Sequence, residues 1–297
     1  MVGASQFRAC LCGATLCLPC VANGSTSVDI CQDPVAESHL AIAYYDQEYS
    51  SFERGRGATD RVNYGTDFLL AVSKQWNLGF GHRSTILNVD DPELQTNGYL
   101  HTFFFPVHRT RHSDSKSFRI SIAPALSGSS NVTKDPNEYT KHAFQLLAAI
   151  VWSRQVSDQL GLSYGICGDY RLGGYQAYPV ISFKWQPHPD WTIELGFPTS
   201  KLSYEVSKRF NFLLSVSPNG NEWYVKNKSL EKSSKLVYEA YVLELAFNLR
   251  LRQSFMFTAS VAREFDGRYE MTLLDDSRVR LSIDSATRFG VALAWHY

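Results

Sequence analysis

Residues 288–297 read RFGVALAWHY, an alternation carried to the last residue given. Strand side chains repeat every two residues, so Phe289, Val291, Leu293, Trp295 and Tyr297 share one face. Arg288, Gly290, Ala292, Ala294 and His296 fall on the other. Terminal residues of ordinary soluble domains fray, and an aromatic face there has nothing to bury it. A face that stays apolar to the end needs a solvent other than water. A closed β-barrel in a bilayer provides one, because its last strand pairs with its first and lipid covers the outside.

Working outward, the same pattern recurs along the chain. YVLELAFNLRL (241–251) sets Tyr241, Leu243, Leu245, Phe247, Leu249 and Leu251 against Glu244, Ala246, Asn248 and Arg250. SFMFTASVARE (254–264) sets Phe255, Phe257, Ala259 and Val261 against Ser254, Thr258, Ser260 and Glu264. YPVISFKWQ and DWTIELGF repeat it with Ile181, Phe183, Trp185, Trp191, Ile193, Leu195 and Phe197 on the apolar face. Similar segments begin near Leu40, Val62, Leu78, Gly98, Phe118, Phe144, Leu160, Leu202 and Phe210. Each is near the roughly ten residues that a tilted membrane strand needs.

Composition agrees. The chain has 297 residues, with 29 basic and 29 acidic side chains. That balance gives no basic footprint for nucleic acid. Aromatics make up 13%, which suits strands. No apolar run of about 20 residues follows the N-terminal segment, so a helical span is excluded.

Six short polar connections, at 73–76, 108–116, 153–159, 186–191, 207–210 and 251–255, alternate with mostly longer polar loops. Short turns at one rim and longer loops at the other predict an all-β, closed antiparallel transmembrane β-barrel of about fourteen strands, with twelve as the alternative if the brief 191–206 hairpin around Pro198 is discounted. Trp76, Phe118, Trp152, Trp185, Trp191, Phe210 and Phe255 each flank a short turn, as an interfacial aromatic girdle does.

The first residues, MVGASQFRACLCGATLCLPCVANG, carry Arg8 and then an apolar stretch to Val21, closing on Cys20-Val21-Ala22. Residues 1–22 are expected to be a signal peptide, 23–38 a periplasmic segment and 39–297 the barrel. Four of the six cysteines fall in the leader. The two that remain, Cys31 and Cys167, make no disulfide framework and no zinc spacing.

Two resemblances follow from these residues. The alternation ending in Tyr297 resembles the C-terminal β-signal by which bacterial outer-membrane proteins are recognised, which implies an outer-membrane location, lipid as surroundings and the assembly machinery as a partner. The stretch with Tyr178, Pro179, Trp185, Trp191, Gly196-Phe197-Pro198 and Leu202-Ser203-Tyr204 resembles an outer-membrane barrel family known only as a domain of unknown function. That likeness implies a fold and a location, and no catalytic residues.

The alternation turns Asp67, Arg83, Arg119, Lys184, Glu194, Glu205, Glu244, Arg250, Arg252, Glu264 and Arg288 inward. Charges of both signs fit a water-filled, porin-like lumen that passes small solutes. The competing reading is that they pair across a closed interior. Two other functional classes compete: a lipid hydrolase with a Ser/His pair on its outer wall, and a structural or adhesion barrel whose loops 127–142 and 265–283 face a partner. His101-Thr102 and His112-Ser113 are the nearest His/hydroxyl neighbours, and neither makes a triad; His101 is expected to point into the lumen near Tyr99. No catalytic residue, metal site or cofactor is assigned. The solute and the oligomeric state stay open.

Overall fold

The computed structural model describes residues 30–31, 39–51, 58–90, 98–135, 142–227, 232–252, 254–272 and 277–296. The expected signal peptide, most of the 23–38 segment and Tyr297 lie outside them. The strands are β1 (His39–Ser51), β2 (Ala58–Ala71), β3 (Trp76–Asp90), β4 (Gly98–Phe104), β5 (Val107–Ser113), β6 (Lys116–Ser129), β7 (Phe144–Ser157) and β8 (Leu160–Asp169). They continue with β9 (Gln176–His188), β10 (Trp191–Phe197), β11 (Ser200–Ser207), β12 (Phe210–Asn227), β13 (Lys232–Arg252), β14 (Phe255–Thr272) and β15 (Arg278–His296). One short helix, α1 (Ser130–Thr133), follows β6.

Neighbours in sequence pair antiparallel all the way round, and β15 closes on β1 with Ile42 opposite Ala294 and Tyr45 opposite Val291. β4 and β5 are two halves of one wall strand, since both pair with β3 and with β6. Pro106 separates them because it has no N–H to give the ladder. Hydrogen bonds from Gly79 N to Pro106 O (2.8 Å) and from Phe105 N to Pro124 O (2.9 Å) carry the wall across the break. Counting that pair once, the barrel has fourteen wall strands.

Alternation decides what each face meets. On β13, Tyr238, Ala240, Val242 and Ala246 are buried, while Tyr241, Leu243 and Leu245 stand exposed between them. Phe289, Val291, Leu293 and Trp295 are likewise exposed on β15. This outward apolar wall extends around the ring and is far larger than the few hundred Å² that a soluble monomer leaves bare. The fold is a transmembrane β-barrel.

The ring narrows along its axis. β6 follows β7 only as far as Leu126, opposite Phe144; beyond that, Gly128 pairs in parallel with Tyr224 of β12. At the loop rim β1–β4, β6 and β12–β15 therefore form a smaller ring of nine strands. Its interior is a packed apolar core of Leu87, Val89, Leu100, Trp223, Leu236, Tyr238, Tyr269, Met271, Leu281 and Ile283. The remaining strands, β7–β11, make a side lobe of the wall. The 170–175 turn at its top leans onto Gly220 of β12, where a Cβ would sit 2.7 Å from the Arg171 carbonyl.

The side lobe is filled from within. Ile30 and Cys31 pack against Ala123, Ala149, Val151, Tyr178 and Val180, and Cys31 is disulfide-bonded to Cys167 of β8. Pairing of these two residues, 136 apart in sequence, was not visible in their spacing. Asp169 accepts hydrogen bonds beside it from Tyr178 Oη (2.8 Å) and Arg171 Nε (2.6 Å).

The expected loop 265–283 is corrected by the structure. Most of it is wall, with β14 running to Thr272 and β15 starting at Arg278. The alternation slips there because, against β13, Tyr241 pairs with Phe265 and Glu239 with Arg268, so Asp266 and Gly267 stand opposite Ala240 alone, with Asp266 at φ 53°. The expected loop 127–142 likewise begins as wall and helix up to Thr133.

Candidate functional site

The register turns ten of the eleven sequence-predicted charged side chains toward the interior, at different depths; Arg252 follows a register shift after Arg250 and pairs with the outward Phe255 at the short-turn rim. Near the short turns the lumen is open. A cavity of about 500 Å³ is lined there by His112, Lys116, Arg154, Gln155, Ser163 and Lys184. Lys184 and Glu205 are exposed at this mouth and Arg250 is half-buried. Glu194 stands just inside and accepts a bond from Ser182 Oγ at 2.7 Å.

Deeper in, the charges are buried and joined. Glu264 of β14 is the hub: Arg61 Nη2 lies 2.8 Å from it, Arg288 Nη1 3.2 Å, and Asn219 Nδ2 3.2 Å, while Tyr238 Oη also donates to it. Arg61 bridges in turn to Glu48 and lies 4.0 Å over the Tyr238 ring. Arg288 reaches Glu244 at 3.8 Å. Asp46 accepts from Asn63 at 2.7 Å. Side chains from β1, β2, β12, β13, β14 and β15 thus meet across the lumen. Four carboxylates face two guanidiniums.

Asp67 and Arg119 lie outside this cluster. Asp67 is buried on β2, where Gly81 leaves room for its carboxylate: a Cβ there would sit 2.5 Å from Oδ1. Arg119 is buried in the side lobe and donates to the Ile30 carbonyl at 3.5 Å. Arg83 donates through Nε to Tyr44 Oη at 3.2 Å. Two cavities the size of a water or two remain between these groups. One, about 20 Å³, is lined by Tyr44, Asp46, Arg61, Arg83, Asn219 and Arg288. The other, about 40 Å³, is lined by Arg83, Gln145, Asp169, Arg171 and Asn221. In the 170–175 turn, burial pushes the Tyr170 phenol up to about 12, with Glu222 and Tyr175 adding to the effect.

Sequence reasoning did not name Asp46, Glu48, Arg61 or Tyr238. Their signal was present in the alternation of YDQEYS (45–50) with Asp46 and Glu48 two apart. Tyr238 was hidden because an aromatic was expected outside. His101 is corrected in the opposite sense: it shares the outward face of β4 with Tyr99 and Phe103, because Leu100, Thr102 and Phe104 take the inward positions.

The short-turn aromatics stand on the outer face of the wall, most of them in pairs. Phe118 packs on Trp152 (5.1 Å between centroids), Trp191 on Tyr204 (4.5 Å), Phe210 on Phe247 (4.1 Å) and Phe255 on Trp295 (6.0 Å). Trp76 lies under the Arg109 guanidinium at 5.4 Å, and Trp185 is exposed on the same rim.

Residues 111–272, from the end of β5 to the end of β14, match the family described as Domain of unknown function (DUF6268). The chain belongs to this family. Within DUF6268, the matched region holds the side lobe, Lys184, Glu244 and Glu264, while Arg61 and Arg288 come from strands beyond it. No curated protein is similar to the chain in sequence. Solved structures similar to this DUF6268 barrel include the KdgM porin in complex with disordered oligogalacturonate, at 10% identity over 86% of this chain and 99% of that one, TM-score 0.36. The toluene transporter TodX of P. putida is similar at 8% identity over 88% of this chain and 90% of that one, TM-score 0.39. OmpT of Vibrio cholerae, an outer-membrane protein, is similar at 10% identity over 86% and 96%, TM-score 0.29.

Proposed function

We propose that this protein is a bacterial outer-membrane barrel that passes small polar solutes down their gradient, through a lumen closed in this conformation by the Glu264 cluster together with the apolar core of the nine-stranded end. The observation that carries the reading is the file of charge along the interior. It runs from the open mouth at Lys184 and Glu205 to the water-sized cavities around Arg61, Arg83 and Arg288. A barrel that needed only a stable interior would be served as well by packed apolar side chains, since buried ion pairs rarely exceed them in stability. In a lumen, the same groups set which ion passes. The aromatics from Trp76 to Phe255 would then sit at the periplasmic headgroups, with lipid around the wall. Phe289, Val291, Leu293, Trp295 and Tyr297 would be the strand that the assembly machinery reads.

Single-channel recording on the refolded chain without residues 1–22 tests this. Wild type should give brief steps, Glu264→Gln longer ones, and Lys184→Glu with Arg250→Glu a shift of preference toward cations. A folded barrel silent in all of these forms refutes the transport reading.

A further inference from the structure

The lipid-facing wall carries a polar cluster where an apolar surface is expected. Ser84 of β3 and His101 of β4 are direct cross-strand partners, and His82 lies two residues from Ser84 on the same outward face. Ser84 Oγ is 2.9 Å from His101 Nδ1 and 3.1 Å from His82 Nε2. The other nitrogen of His101, Nε2, is 2.8 Å from Ser130 Oγ. Ser130 Oγ donates its own proton to the Tyr99 carbonyl at 3.3 Å. That chain of bonds favours one tautomer. With its hydrogen given to Tyr99, Ser130 accepts from His101 Nε2–H, and Nδ1 is then an acceptor for the Ser84 hydroxyl, which also has His82 Nε2 within reach. A serine, a histidine that accepts its proton, and a third group that orients the histidine are the components of an activated nucleophile.

The surroundings indicate what it would attack. Toward the short-turn rim the outer face of β2–β4 is an aromatic strip: Phe68 and Phe80 have centroids 5.5 Å apart, Phe80 and Phe105 5.4 Å, and Phe103 stacks on His82 at 4.6 Å. On the polar side, Lys134 at the end of α1 is close enough to act on His101 through its charge. Ser84 follows the rim residue Trp76 by eight positions on β3, about 26 Å along the strand and about 20 Å along the axis of a tilted barrel. An outer apolar band is about 25 Å tall, so Ser84 lies near its loop-side edge. Tyr64 and Tyr45, in register with Ser84 on β2 and β1, are exposed at that level. This is the depth at which acyl esters meet glycerol phosphate.

We propose that Ser84 and His101 form an esterase site on the outer wall whose substrates are glycerophospholipids, with the acyl chain along the Phe strip and the phosphate toward Lys134. Ser84 Oγ bonds to the ester carbonyl carbon as its proton passes to His101 Nδ1. The carbon–oxygen bond to glycerol breaks as Nδ1–H protonates the departing alkoxide. A water from the interface, deprotonated by Nδ1, then cleaves the acyl-serine, releases the fatty acid and returns the proton to Ser84. In the resting arrangement Ser84 is covered, 1% exposed. Its access requires the half-buried His82 ring to turn away, which makes His82 a shutter and a positioning residue. Whether the lumen conducts is immaterial to this site, because it faces the other side of the wall.

The test is labelling of the refolded full barrel in phosphatidylethanolamine vesicles with a fluorophosphonate, the adduct mapped by mass spectrometry, alongside release of fatty acid. Wild type should carry the adduct on Ser84. Ser84→Ala and His101→Ala should lower fatty-acid release at least a hundredfold while keeping the heat-modifiable fold. His82→Ala should still be labelled, at a rate within about threefold of wild type or faster. The mapped adduct on wild type keeps the result decisive even if a variant misfolds. Absence of adduct, an adduct on another serine, undiminished release by Ser84→Ala, or release abolished by a chelator would each overturn the proposal.

Discussion

Replacing Glu264 by Gln removes the charge at which two guanidiniums, an amide and a phenol converge. Arg61 would keep Glu48 as its bonded carboxylate, and Arg288 would keep Glu244, at 3.8 Å, and the nearby Asp46. The charged groups and Tyr238 are 3% exposed or less, so solvent cannot take over the lost partner. Removing one member of a buried ion pair typically costs about 3–5 kcal/mol, because the other charge stays desolvated. We expect the lower end, about 3 kcal/mol, since each arginine retains at least one acid. Removing both ends, as Arg61→Met with Glu264→Gln, should cost less than the two single losses added, with a coupling of about 2 kcal/mol. Urea titration of the refolded barrel in vesicles, followed by tryptophan fluorescence, measures each variant. A loss below about 1 kcal/mol for Glu264→Gln, or strict additivity in the double variant, would show that the cluster does not hold the walls together.

Three further outcomes follow from the same geometry. Leu245→Arg, on the exposed face of β13, should lose about 2–4 kcal/mol of barrel stability, as a cation at mid-bilayer does; a neutral result would mean that this face does not meet lipid. Cys167→Ser should abolish the reductant-dependent shift in gel mobility and lower stability by about 2–5 kcal/mol, the usual loss for a long closed loop. If reduction leaves wild-type mobility and urea midpoint unchanged, the Cys31 tether is absent. Trp295→Ala with Phe289→Ala should reduce the membrane-inserted fraction in cells by several-fold without changing in vitro refolding; equal insertion would remove the assembly-signal reading.

The fold was legible wherever the outward face was apolar and the inward face small or polar. RFGVALAWHY satisfies that rule throughout and YVLELAFNLRL at all but the inward Val242, and the six short turns gave the strand count. The rule failed where the interior is itself apolar. Tyr238, Tyr269, Met271, Leu281 and Ile283 fill the nine-stranded end, so beyond Phe265 the apolar residues turn inward and Arg268, Glu270, Arg280 and Ser282 outward, and the extra residue at Asp266 shifts the phase. A period-two pattern cannot survive both changes. The candidate site was legible by the same measure: charge at an inward position is unmistakable, whereas the partners of each charge depend on pairing between strands far apart in sequence, as Arg61 and Glu264 are. The Ser84–His101 pair was missed for that reason. A search among sequence neighbours passes over two residues that only the β3–β4 register places side by side.

β3 brings these two departures from a plain barrel within one tripeptide. In His82-Arg83-Ser84 the middle side chain faces the lumen, bonded to Tyr44, and the two flanking ones face lipid. One strand therefore carries an inward cation and an outward hydroxyl–imidazole pair, separated by the thickness of a single sheet. Sheets transmit little between their faces unless the backbone moves, and the β2–β3 ladder is continuous from Ala58–Asp90 to Ala71–Asn77. Arg83→Gln should consequently alter ion preference in bilayer recordings and leave fluorophosphonate labelling at Ser84 unchanged, while Ser84→Ala should do the reverse. Coupled changes would mean that β3 shifts as a unit, and that lipid bound outside the barrel bears on the state of the lumen.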